Sequence, residues 1–206
     1  KSLVLLKNDN QILPLQKINS KITLVGEHAD NIGYQSGGWR IHWQGGSGDI
    51  TPGTTILDAF KSAVSDSSNI RYSKDGGDLS NSDIIVAVIG EKPYSEGVGD
   101  RDSLHLSDED ITLIEKVKRS KLPIVVILIS GRPMIINEVL DESDAFLAAW
   151  LPGTEGLGIS DVIFGDFDFT GKLSMTWPKS MKQIPINYGD SSYDPLFKLG
   201  FGLSYE

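Results

Sequence analysis

The stretch Asp83-Ile-Ile-Val-Ala-Val-Ile89, followed directly by Gly90-Glu-Lys-Pro-Tyr-Ser-Glu-Gly-Val-Gly-Asp100, decides the fold. Its first half is an apolar run without polar alternation, which predicts a strand that is buried on both faces of a sheet. Its second half is a loop of glycines and carboxylates, and Ser107-Asp-Glu-Asp110 beyond it predicts the start of a helix. In α/β proteins, loops at the carboxyl ends of strands carry the chemistry.

The rest of the chain repeats this alternation of apolar strands and amphipathic helices, which predicts a parallel sheet covered on both faces. The predicted fold class is α/β, a three-layer sandwich with a mostly parallel six-stranded central sheet and helices on both faces. Residues 1–20 are interpreted as a lead-in segment. Further strands are expected near 21–26, 69–73, 123–129 and 145–151, with an edge strand near 171–177; helices are expected after Thr54 or Thr55, at Ser107, over 134–141 and over 154–164.

The composition is that of an ordinary globular domain and excludes several functional classes. The length of 206 residues allows one good core or two small ones. Residues 1–206 are predicted to form a single α/β sandwich domain. A net charge of −9 argues against a nucleic-acid partner, since phosphate binding needs a basic face. No apolar run approaches the ~20 residues of a membrane span, so no membrane partner is expected either. The chain has no cysteine, which excludes disulfides and thiol catalysis. It does not begin with Met, which suggests a processed chain or a domain cut from a longer protein.

The loop after residue 90 carries the main catalytic candidate, Glu96. Gly97 and Gly99 permit backbone conformations that can present its side chain outward. Tyr94 and nearby tryptophans are expected to raise the pKa of this carboxyl group, as a general acid requires. A solvated surface carboxylate is the simpler alternative. Glu91 is interpreted as a structural hydrogen-bond acceptor, and Asp100 and Asp102 as local charge partners of Arg101.

A second loop, Gly37-Gly-Trp-Arg-Ile-His-Trp-Gln-Gly45, carries the binding candidates Trp39 and Trp43. Their indoles suit a sugar ring, which has one apolar face and a rim of hydroxyls, but core packing is an equally good interpretation. In Ser130-Gly-Arg-Pro133, Arg132 is expected to clamp a neighbouring loop through its carboxylates rather than to bind a ligand.

Other motifs of enzyme chemistry are missing, so neither a metal nor a cofactor is expected. The three histidines, His28, His42 and His105, have no metal-ligand spacing. No strand directly precedes Gly45-Gly-Ser-Gly48, which argues against a nucleotide loop. Ser130-Gly131 lacks the G-x-S-x-G pattern of serine hydrolases.

Many short motifs in one order resemble the second domain of glycoside hydrolase family 3, and the resemblance runs over nearly the whole chain. The β-glucosidases and β-glucan exohydrolases of that family match best. The motifs are Ser2-Leu-Val-Leu-Leu-Lys-Asn8, Gly26-Glu-His-Ala-Asp30, Gly37-Gly-Trp39 with Trp43-Gln-Gly45, Gly53-Thr-Thr-Ile-Leu57, Gly90-Glu91 with Pro93-Tyr94 and Glu96, Ser130-Gly-Arg-Pro133, Ala149-Trp-Leu-Pro-Gly153 and Gly165-Asp166 to Thr170-Gly171.

The resemblance implies a role for each candidate. Glu96 matches the family's acid/base glutamate, Trp43 matches a tryptophan beside the leaving-group subsite, and Trp39 lies in the same loop with a less defined role. The family's enzymes retain anomeric configuration, and their nucleophilic aspartate sits in an N-terminal (β/α)8 barrel that nothing here resembles. The implied activity is hydrolysis of terminal β-D-glucosyl residues, with a β-glucoside or β-glucan oligosaccharide as substrate and no activity without the barrel domain. A secreted or periplasmic location is implied in the same way.

Two observations qualify this resemblance. Residues 74–82 look shorter than in plant-type members, which should affect the surface rather than the site. N-acetylglucosaminidase members place the acid/base residue in the barrel, so a glutamate at position 96 argues against that branch. The competing hypothesis is a stand-alone carbohydrate-binding or interaction module of flavodoxin-like sandwich type. An upstream barrel with a catalytic aspartate would separate the two.

Overall fold

A computed structural model describes residues 1–205 and contains one six-stranded sheet within them. The strands are β1 (Val4–Asn8), β2 (Ile22–Val25), β3 (Ile70–Ser73), β4 (Ile84–Gly90), β5 (Ile124–Ile129) and β6 (Ala145–Trp150). The α-helices are α1 (Ile32–Ser36), α2 (Ile56–Ala63), α3 (Asp108–Lys118), α4 (Asn137–Glu142) and α5 (Leu157–Ile163). Short 3₁₀ turns cover Asp9–Gln11, Glu27–Asp30, Ser67–Asn69 and Met181–Gln183.

The sheet has the strand order β1-β6-β5-β4-β2-β3, and the five strands from β2 to β6 run parallel. Every residue of β5 is buried, as are the first six of β4. Such strands must be apolar on both faces, which explains why the runs from Ile84 and from Ile124 show no polar alternation. The predicted α/β class and the mostly parallel sheet are therefore confirmed.

Helices cover both faces of the sheet and complete two hydrophobic layers. On one face, α2 and α5 pack together, and the rings of Phe60 and Phe164 meet edge to face at 5.2 Å. On the other face, α3 and α4 bury side chains such as Val117 and Val139 against the sheet. Both layers are formed by residues 1–205, so the sheet is buried without any additional chain.

The predicted edge strand at 171–177 is wrong, and β1 takes the edge position instead. Val4–Asn8 pairs antiparallel with β6, so residues 1–20 are more than a lead-in segment. Leu173 and Trp177 are buried in one layer of the core, while Lys172, Ser174 and Met175 between and beside them are exposed. The alternation in this stretch therefore reflects packing against that layer and not membership of the sheet. The outer side of β1 is covered in turn, because Leu203 donates its amide to the carbonyl of Leu5 at 2.9 Å.

Two predicted helix starts are confirmed by their caps. The hydroxyl oxygens of Thr55 and Ser107 accept hydrogen bonds from the amides of Asp58 and Asp110, both at 3.1 Å. Helices α4 and α5 are shorter than the predicted 134–141 and 154–164. Among the described residues, no helix combines the length and hydrophobicity of a membrane span.

Candidate active site

Two loops meet at the carboxyl edge of the sheet and form the candidate site. One follows β2 by way of α1 and contains residues 37–53; the other follows β4 and contains residues 91–106. Because β2 and β4 are adjacent and parallel, the two loops leave the sheet side by side. Trp39, Trp43 and Glu96 lie together at this edge of the domain, as the contacts below show.

Four hydrogen bonds join the tips of these loops at the candidate acid/base residue. The indole Nε1 of Trp43 donates to Oε2 of Glu96 at 3.0 Å. The Gln44 carboxamide accepts from the Ser95 amide at 2.8 Å and donates to the Glu96 carbonyl at 3.3 Å. The Ser95 hydroxyl donates to the Trp43 carbonyl. Residues 43–44 thus hold residues 95–96 through both side chain and backbone.

The close approach of the two loops requires glycine at position 38. A Cβ atom placed on Gly38 would lie 2.1 Å from the carbonyl oxygen of Tyr94 and 2.4 Å from the hydroxyl of Ser95. Neither distance is tolerated, and the nearer atom belongs to the backbone, so a side chain here must push the 37–45 loop away from residues 94–95.

We expect Gly38→Ala to break the Trp43–Glu96 hydrogen bond while leaving the sheet intact. The carboxylate would then lose its indole donor, and NMR titration of Glu96 would show a higher pKa than in the wild type. Gly158→Ala is a matched control, because nothing lies within 4 Å of a Cβ at that position. Titration of Glu96 that is identical in Gly38→Ala and in the wild type would contradict the close packing described here.

Residues 37–45, the tryptophan loop, form an exposed hairpin with a strained tip. Trp39 and Trp43 are 70% and 55% exposed, so core packing is excluded for both, and their ring centroids lie 6.2 Å apart. The Trp39 amide donates to the Trp43 carbonyl at 2.9 Å and closes the hairpin. Trp39 and the β-branched Ile41 have φ values of 59° and 62°, a conformation that L residues avoid. Strain of this kind is typical of functional loops.

The pKa of Glu96 is lowered, not raised as the sequence suggested. The hydrogen bond from the Trp43 indole is the largest cause, and the backbone amide of Glu96 and the Trp39 indole act in the same direction. Tyr94 does not supply an apolar setting for Glu96, because its hydroxyl donates to Glu91 at 3.0 Å. In this chain these hydrogen bonds therefore favour the ionised form of the exposed Glu96.

Glu91 is the buried anchor of the loop over residues 91–106, which confirms its interpretation as a structural acceptor. Its side chain is only 4% exposed, and its Oε1 accepts from Arg132 at 2.8 Å and from Arg101 at 3.2 Å. Arg132 also donates to the Gly99 carbonyl at 2.7 Å and lies 4.3 Å from the Tyr94 ring centroid, so it clamps the loop as predicted. The predicted pairing of Arg101 with its neighbouring aspartates is wrong, because the buried carboxylate of Glu91 attracts it more strongly.

A cavity of about 850 Å³ lies beside this anchor but apart from Glu96. His28, Tyr94, Arg101 and Asp110 are among its lining residues, whereas neither Glu96 nor the tryptophan loop contributes to it. His28 is buried against Tyr34, and burial lowers its pKa to about 4, so it is neutral. No group of three or more metal-ligating side chains occurs within residues 1–205. Glu96 therefore faces an open edge of the domain.

The sequence did not predict that Gln44 and Ser95 join the two loops. Gln44 stands inside the Trp43-Gln-Gly45 motif, and Ser95 precedes Glu96, but a lone amide or hydroxyl in a loop is no functional signal. Their importance arises only because the two loops, about fifty residues apart in sequence, face each other in the fold.

Comparison with known proteins identifies the family of this chain. Residues 3–205 match the glycosyl hydrolase family 3 C-terminal domain. The chain belongs to this family. It is 34% identical to a β-xylosidase of Formosa agariphila over 100% of this chain and 32% of that protein. It is 33% identical to a lysosomal β-glucosidase of Dictyostelium discoideum over 99% of this chain and 28% of that protein.

Two solved structures contain nearly the same fold. The exo-1,3/1,4-β-glucanase from a Pseudoalteromonas species superposes with a TM-score of 0.92 at 40% identity, covering 99% of this chain and 27% of that one. A β-glucosidase from Listeria innocua gives a TM-score of 0.84 at 27% identity, covering 98% of this chain and 32% of that one. The chain thus spans roughly a third of the length of these relatives.

Proposed function

We propose that this chain forms a single α/β sandwich domain and that this domain carries the acid/base residue of a retaining, exo-acting β-glucosidase or β-glucan exohydrolase. Such an enzyme hydrolyses terminal β-D-glucosyl residues. The observation that carries the proposal is the exposed carboxylate of Glu96, held by Trp43 at the carboxyl edge of the sheet. Family membership and the β-glucosidase and exoglucanase relatives support the same activity.

The partner of this chain in the proposal is an N-terminal (β/α)8 barrel domain of the same protein. Retaining glycosidases need two carboxyl groups about 5–5.5 Å apart. Glu91 cannot be the second one, since it is buried and neutralised by Arg132 and Arg101. The open edge also exposes Ile41 and Val98 at 65% and 68%, and apolar side chains around a catalytic group suit a covering domain.

Each carboxyl group has a distinct role in the proposed reaction. The barrel aspartate attacks the anomeric carbon while Glu96 gives its proton to the leaving glycosidic oxygen. Glu96 then removes a proton from the incoming water, which attacks the glycosyl-enzyme and releases a sugar of retained configuration. Trp43, and Trp39 beside it, offer aromatic faces for the leaving sugar units.

The barrel has a second task, because a general acid must be protonated near the working pH. In this chain hydrogen bonding holds the pKa of Glu96 below the usual range of a glutamate. Docking of the barrel would remove water from Glu96 and bring the nucleophilic aspartate near it, and both changes raise a carboxyl pKa. The protonated form of Glu96 therefore depends on the two-domain assembly.

We expect the 206-residue chain alone to show no glycosidase activity, because the proposal places the nucleophile in the barrel. The measurement is hydrolysis of an aryl β-glucoside by the purified chain, with a chain that includes the barrel as the positive control. Robust turnover by the isolated chain would overturn the two-domain proposal. Tight binding of gluco-oligosaccharides by the chain, together with an inactive two-domain protein, would favour a carbohydrate-binding module instead.

A further inference from the structure

We propose that Trp43 and Gln44 are positioning residues for Glu96: the indole assigns which carboxyl oxygen carries the proton, and the carboxamide fixes the backbone that presents it. This inference rests on the proposed acid/base role of Glu96. It gives Trp43 a task that differs from stacking against a sugar, and it gives Gln44 a task that the sequence did not suggest.

The carboxamide of Gln44 forms hydrogen bonds with the backbone of two consecutive residues, Ser95 and Glu96. Its Oε1 accepts from the Ser95 amide at 2.8 Å, and its Nε2 donates to the Glu96 carbonyl at 3.3 Å. One planar side-chain group therefore bonds a backbone donor and a backbone acceptor on adjacent residues. Within the loop, the Val98 amide donates to the Glu96 carbonyl at 3.1 Å and the Gly99 amide to the Ser95 carbonyl at 2.8 Å. The Gln44 carboxamide adds a contact from outside this turn and ties it to residues 37–45.

The indole of Trp43 distinguishes the two oxygens of the Glu96 carboxyl group. An indole N–H only donates, so the oxygen that it contacts must offer a lone pair. Oε2 occupies that position at 3.0 Å. The Trp39 indole and the Glu96 amide also stabilise the carboxylate, but the Trp43 indole does so most. When Glu96 is protonated, its proton is therefore assigned to Oε1, and this oxygen faces the leaving group. The same oxygen is then free to accept the proton of water.

The backbone that carries the indole is itself held by two contacts. The carbonyl of Trp43 accepts from the Trp39 amide at 2.9 Å and from the Ser95 hydroxyl. These bonds tie residue 43 both to its own hairpin and to the residue before Glu96. An aromatic side chain that served only for stacking would not need its N–H directed at a carboxylate.

Replacing Trp43 by Phe separates the two tasks, because phenylalanine keeps an aromatic face but has no N–H. We expect NMR titration of the Glu96 side chain in the isolated chain to show a higher pKa in Trp43→Phe than in the wild type. Loss of a donor to the carboxylate removes a stabiliser of the charged form. Trp39→Phe is the matched control, and its smaller influence on Glu96 predicts a smaller rise. An unchanged Glu96 pKa in Trp43→Phe overturns the role of the indole.

Gln44→Leu tests the backbone contact, because leucine has a similar volume and no hydrogen-bonding group. We expect lower amide order parameters at Ser95 and Glu96 in this variant than in the wild type, with the strands unaffected. Order parameters at these two residues that match the wild type overturn the role of Gln44.

The two-domain enzyme distinguishes a failure of this inference from a failure of the proposed function. The acid is needed in its protonated form, so the basic limb of the kcat/KM profile should move to higher pH in Trp43→Phe. A raised Glu96 pKa in the isolated chain with an unmoved basic limb would sustain the indole contact and overturn the acid/base role. If neither the Glu96 pKa nor the basic limb changes in Trp43→Phe, the present inference alone is overturned.

Discussion

Replacing Glu96 by Gln in a protein that contains both domains should lower turnover of an unactivated β-glucan by about 10²–10⁴-fold, the usual contribution of general acid–base catalysis. Glutamine preserves the size of the side chain and can still accept the Trp43 hydrogen bond, but it has no proton to transfer. The loss should therefore appear in turnover rather than in folding, and circular dichroism of the variant should match that of the wild type.

The loss should depend on the leaving group of the substrate. An activated phenol departs without protonation, so formation of the glycosyl-enzyme should survive while its hydrolysis becomes limiting. Pre-steady-state measurements should show a burst of phenol followed by slow turnover. Equal losses for activated and unactivated substrates would contradict a role for Glu96 as the general acid.

Replacing Glu91 by Gln should destabilise the domain by about 3 kcal/mol, because removal of one partner from a buried ion pair leaves the other charges uncompensated. The carboxylate is 4% exposed and is contacted by Arg132, Arg101 and the Tyr94 hydroxyl. The estimate lies at the low end of the range for buried pairs, since both arginines remain partly accessible to water. The free energy of unfolding of the isolated chain in urea measures this directly.

Asp166→Asn is the matched control for that experiment. Asp166 pairs with Lys17 at 2.6 Å, but both side chains are substantially exposed. Pairs of this kind contribute about 0–1 kcal/mol, so the control should unfold near the wild-type midpoint. A Glu91→Gln variant as stable as Asp166→Asn would show that the cluster around Glu91 does not anchor the loop over residues 91–106.

The fold was predictable wherever burial dictated composition. Central parallel strands such as Ile84–Gly90 and Ile124–Ile129 must be apolar on both faces, and their sequences show it. The edge of the sheet was not predictable in this way. Residues 4–8 lack turn signals and residues 171–177 alternate, but which of them joins the sheet depends on contacts with β6 and Leu203 that are distant in sequence.

The site was predictable in its location but not in its electrostatics. Parallel strands end at one edge, so the loops that carry Trp43 and Glu96 had to meet. The predicted direction of the Glu96 pKa shift was wrong because it depends on where two side chains point. The Trp43 indole turns toward Glu96 and stabilises its charge, while Tyr94 turns away toward Glu91. Loop composition alone does not specify such orientations.

Chemical rescue by azide tests most directly whether Glu96 is the acid/base residue. Azide needs no general base, so added to the Glu96→Gln enzyme with an activated aryl β-glucoside it should attack the accumulated glycosyl-enzyme and restore turnover. The product should be a β-glycosyl azide, because a second inversion at the anomeric carbon gives net retention. Glu91→Gln should show no rescue. Azide rescue of Glu91→Gln without rescue of Glu96→Gln would contradict the account and transfer the acid/base role to Glu91.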